Sequence, residues 1–119
     1  MTEAEAAALI ISEARNDGDS LFARVRGGED PGAERMRRLV SALAVVYHSL
    51  GGQPEIDRKL ASALFTLGSD VPLTISSLAG KGHTWRKGFM EGEVYELLVG
   101  VQSIFEDREF EADAGETVH

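Results

Sequence analysis

A chain of 119 residues, 43% of them hydrophobic, can build one domain with a small core and little more. It holds no cysteine, which excludes disulfides, zinc–thiolate centres and thiol nucleophiles. Its formal net charge of −8 disfavours general binding to nucleic acid or to an anionic membrane.

The first residues, Met1-Thr2-Glu3-Ala4-Glu5, are acidic, the opposite of a signal peptide's basic start. Thr2 and Glu5 have the spacing of a capping box and predict a first helix with Leu9 and Ile10 on its apolar face. Asn16-Asp17-Gly18 is a stop signal. The segment resembles a calcium loop only faintly. It lacks the alternating acids and the closing glutamate, so a turn is expected. Asp19 or Ser20 then caps a short helix carrying Leu21, Phe22 and Val25, which ends at Gly27-Gly28.

Asp30 as N-cap and Pro31 in the first turn predict the start of a third helix. Met36, Leu39, Val40, Leu43, Val46, Tyr47 and Leu50 follow as one stripe, closed by Gly51-Gly52. Pro54 opens a fourth helix lined by Ile56, Leu60, Leu64 and Leu67 and closed by Gly68. So short a connection predicts that the third and fourth helices pack as a pair. Residues 69–72 read as a turn; 73–79 fits a short helix through Leu73, Ile75 and Leu78, or a strand at Thr74-Ile75, and the helix is favoured because nothing else offers a strand partner. Residues 80–88 form a polar, glycine-rich loop. The last helix covers about 91–109, with Val94, Leu97, Leu98, Val101, Ile104 and Phe105 on one face. No run approaches the ~20 apolar residues that a bilayer span requires. The expected fold is all-α: a compact single-domain bundle of four to six helices over residues 1–110, with a frayed acidic tail at 111–119.

No catalytic constellation emerges. Three histidines, His48, His83 and His119, show no metal-ligand spacing. Gly80-Lys81-Gly82-His83-Thr84 departs from the phosphate-loop pattern, because Gly82 stands where Ser or Thr is needed and Ile75 where the first glycine is needed. The carboxylate pairs Glu55/Asp57 and Glu106/Asp107 do not share a helical face. The chain is therefore expected not to be an enzyme and to need no cofactor or metal.

Charge is laid out in three blocks. Residues 1–30 carry seven acidic and three basic side chains, residues 31–90 four and eight, and residues 91–119 nine and one. Acidic ends around a basic middle point to surface recognition. Lys81, His83, Trp85, Arg86 and Lys87 place the sole tryptophan among cations, a composition typical of interface hot spots. Its competing role is to fold back as a core plug. Glu106, Asp107, Glu109 and Glu111 surround Phe110 in a dense acidic stretch suited to a basic groove. The leading expectation is a protein–protein interaction module, acting as inhibitor, adaptor or regulator in the cytoplasm. A second expectation is a helix-turn-helix regulator that meets an anionic partner through Arg35, Arg37, Arg38, Arg58 and Lys59. A third is an anion-binding protein using Lys81, Arg86 and Lys87 in the 80–88 loop. A bundle this small can also form a homodimer through one apolar stripe.

Overall fold

The computed structural model describes residues 1–106. Among them the chain forms helices α1 (Glu3–Glu13), α2 (Leu21–Arg26), α3 (Ala33–Leu50), α4 (Arg58–Phe65), α5 (Val71–Gly80) and α6 (Tyr95–Glu106). A π-helical turn, Thr66–Asp70, joins α4 to α5 without a break. A second, Phe89–Val94, leads into α6. No strand occurs among the described residues, and the fold is all-α in one compact domain. No described helix is long and apolar enough to cross a membrane. The proposed boundary at residue 110 and the tail lie outside the described residues.

The local starts follow their chemistry. The Thr2 hydroxyl accepts from the Glu5 N–H at 3.1 Å, and the Glu5 carboxylate accepts from the Thr2 N–H at 2.8 Å, so both halves of the capping box form. Ser20, not Asp19, caps α2 by accepting from the Ala23 N–H at 3.0 Å.

Two starts differ from expectation. Asp30 does not cap α3; Gly32 does, and the Asp30 carboxylate accepts from the Gly32 N–H at 2.8 Å while facing Arg86. Pro54 does not open α4, which begins at Arg58 under an Asp57 cap. Asp57 can accept from the Leu60 N–H, and proline in the preceding segment leaves the chain extended.

The predicted pairing of the third and fourth helices is also corrected. α3 and α4 make little direct contact, because both pack on α1. α1, α3, α6 and the α4–π segment form a closed ring: α1 on α3, α3 on α6, α6 on the π turn, and α4 back on α1. α2 packs on α5 outside that ring. Ile10, Leu39, Leu43, Leu64, Leu67 and Leu97 fill the centre and are wholly shielded from water.

The expected turn at 69–72 does not exist. Gly68 stays helical because α6 crosses it directly. A Cβ at position 68 would lie 2.8 Å from Val101 Cγ1 and 3.2 Å from its Cβ. Overpacking of this kind typically costs ~1–3 kcal/mol, more than the ~1 kcal/mol that alanine gains over glycine in a helix. Gly68→Ala is therefore expected to destabilise the fold in urea unfolding, by up to about 2 kcal/mol net. In a double-mutant cycle with Val101→Ala the two changes should compensate in part. Strict additivity would mean that the two positions are not in contact.

Candidate functional site

The 81–88 segment is held by its own side chains. The Trp85 indole N–H donates to the Ile75 carbonyl at 3.1 Å. Its ring packs against Phe89, with centroids 5.2 Å apart, and edge-on against His83 at 4.5 Å. Trp85 is 9% exposed, so the indole belongs to the core. A buried, hydrogen-bonded indole is the core plug that stood beside the interface role in the sequence.

His83 is half-buried over Gly28. Gly28 has φ +80°, and a Cβ there would come within 3.1 Å of His83 Cε1. Both the backbone angle and the close approach select glycine.

Arg86 clasps two carboxylates. Its Nε donates to Asp30 Oδ2 at 2.6 Å, and its Nη1 and Nη2 donate to Glu93 at 2.8 and 2.7 Å. The guanidinium holds Asp30 below the usual carboxylate range, and the hydrogen bonds that Arg86 donates to Glu93 and then to Asp30 raise its own pKa. The same group lies 5.5 Å from the Phe89 ring centroid. Arg86 is thus an internal fastener between the 27–32 connection, the loop and the second π turn. Its side chain is still about a third exposed, at 36%. Lys81 and Lys87 remain exposed, with no ion pair among the described residues.

The second set of cations does not form one surface. Arg35 turns inward to Glu13, at 2.7 Å through Nε and at 2.7 Å through Nη2, and also donates to the Asp19 carbonyl. This pairing commits Arg35 to a carboxylate of the acidic first segment. Arg38 lines the cleft between α1 and α3 together with Leu9 and Ser12. Arg37 lines a different groove, between α3 and the start of the last helix. Lys59 borders a third, between α1 and α4, and Arg58 is exposed beside it. α1 separates α3 from α4, so the helix-turn-helix packing is not formed.

Glu106 is exposed at the end of α6. Asp107, Glu109 and Glu111 lie outside the described residues. No group of three or more metal-ligating side chains converges among the described residues. No protein-family model, curated protein or solved structure matches this chain.

The surface of the described residues carries several large apolar side chains. Phe65 is 62% exposed, Leu73 66%, Tyr95 60% and Phe105 49%. Phe65 and Leu73 lie on either side of Gly68 along one continuous helix, and Tyr95 and Phe105 on either side of Val101 along the other. The two helices cross at that glycine. For Phe65, Leu73 and Tyr95 the signal was present in the sequence as apolar residues out of phase with each helix's main stripe. Phe105 was assigned to the buried face, and the structure leaves half of it in water.

Proposed function

We propose that this chain is a non-enzymatic protein-interaction module, an inhibitor, adaptor or regulator, that recognises a protein partner through the outer sides of the two crossing helices. The observation that carries the reading is the exposure of Phe65, Leu73, Tyr95 and Phe105. Large apolar and aromatic side chains are the residue types that contribute most at interface centres, and they are costly to leave in water. Lys81 and Lys87 are exposed and without an ion pair among the described residues, and exposed cations of this kind steer an acidic partner. The acidic overall charge argues for a protein over a nucleic acid. The cysteine-free composition fits a cytoplasmic setting.

The test is affinity capture from the native host at low salt, with and without nuclease, using the parent chain and the Phe65→Glu and Tyr95→Glu variants. Both substitutions sit at exposed positions, and circular dichroism should show unchanged helicity. The expected result is a stoichiometric protein that survives nuclease and is lost with either variant. Capture that vanishes with nuclease would instead favour an anionic nucleic-acid partner. A sedimentation series on the purified chain asks whether a second copy uses the same face.

A further inference from the structure

A groove of about 400 Å³ runs between α3 and the start of the last helix. Met36 and Val40 are buried beneath it. Arg37 and Ser41 stand on the α3 side, Glu93 and Glu96 on the other. Glu93 is held by Arg86 at 2.7 Å. Arg37 and Glu96 carry opposite charges and line the same groove, yet neither has an ion pair or hydrogen bond among the described residues.

A small anion would be drawn to Arg37 and repelled by the carboxylates opposite. A small cation would meet the reverse. The wall-to-wall arrangement matches a molecule with both charges and an apolar portion between floor and solvent. The volume lies in the range of small-molecule sites, roughly 300–1,000 Å³. A methionine in the floor adapts to side chains of different shape.

We propose that this groove binds a free α-amino acid with an apolar side chain. Its carboxylate pairs with Arg37, its ammonium with Glu96, and its side chain rests on Met36 and Val40. Ser41 is placed to add a hydrogen bond to the carboxylate. None of Phe65, Leu73, Tyr95 and Phe105 lines this groove, so amino-acid binding does not depend on the proposed interaction with a protein partner.

The experiment is calorimetric titration of the full chain with leucine, methionine and phenylalanine, and with two blocked forms. N-acetyl-leucine lacks the ammonium, and leucine amide lacks the carboxylate. Saturable binding is expected for the free amino acids. Each blocked form should bind at least about tenfold more weakly, the loss of one charged hydrogen bond. Arg37→Gln and Glu96→Gln should each weaken leucine to a similar degree while leaving the thermal midpoint of the unliganded protein unchanged. Absence of saturable binding in the millimolar range overturns the proposal. So does equal affinity for free and blocked forms, or weakening of only one blocked form, which would identify a simple ion site. Tighter binding of leucyl dipeptides than of leucine would overturn it in favour of a peptide end.

Discussion

Trp85→Ala is expected to lower the unfolding free energy by about 3–5 kcal/mol, the usual cost of deleting a buried tryptophan. The indole is almost fully enclosed and packs on Phe89 and His83, and its N–H satisfies the Ile75 carbonyl. Removing it empties a volume that α5, the 81–88 loop and the second π turn share. Trp85→Phe separates the contributions. It keeps most of the packing and gives up the hydrogen bond, so a loss of about 1–2 kcal/mol is expected. Urea unfolding followed by circular dichroism measures both. Trp85 is the sole tryptophan, so its fluorescence reports the site directly. In the folded protein it should be poorly quenched by iodide. Strong quenching together with a small stability loss would return Trp85 to the surface and restore it as an interface anchor.

The same residue shows what the sequence could carry. Its neighbours His83, Arg86 and Lys87 suggested an exposed cationic loop, because proximity along the chain was the only proximity visible. Ile75, Gly28 and Asp30, the groups that bind this loop, come from elsewhere in the chain. Chemistry confined to a few neighbouring residues was legible. The Thr2–Glu5 capping box and the Ser20 cap form through side chains within three residues. The apolar stripe of α3 needed only its own periodicity.

Punctuation misled where tertiary packing overrode it. Gly68 and Pro72 read as a stop, yet the helix runs through both. Glycine is required there for space, since Val101 occupies the volume a side chain would take. Pro72 is tolerated because it follows a change of register. The Val71 N–H reaches back to the Thr66 carbonyl in the π turn, and Pro72, which has no N–H, comes next. Asp30 looked like a helix cap until Arg86, distant in sequence, claimed its carboxylate. The candidate surface was hidden for a related reason. Phe65, Leu73 and Tyr95 fall outside each helix's main stripe, and exposure is decided by which neighbours arrive, not by spacing alone.

Arg35→Ala is expected to destabilise the protein by about 3 kcal/mol, because it strands a buried carboxylate. The Glu13 side chain is only 5% exposed. Its Oε2 accepts from Arg35 Nε, and its Oε1 accepts from Arg35 Nη2 and from the Leu21 N–H at 2.9 Å. One pair thus ties the end of α1, the start of α2 and the first turns of α3. The expected loss sits at the low end of the range for broken buried pairs for two reasons. Arg35 is a quarter exposed, and Leu21 would still donate to the orphaned carboxylate. Removing both charges should be gentler than removing one. Glu13→Gln with Arg35→Met is expected to recover at least about 1 kcal/mol relative to the sum of the single changes. Arg37→Ala provides the contrast. It is exposed two residues further along α3 and unpaired among the described residues, so its effect should stay within about 0.5 kcal/mol. Equal losses for Arg35 and Arg37 would mean that the helix start, and not the pair, sets the cost. The distinction bears on the charge layout of the whole chain. Of the eight basic residues between 31 and 90, Arg35 and Arg86 are committed to internal carboxylates. The other six have no ion pair among the described residues and remain available to whatever this surface meets.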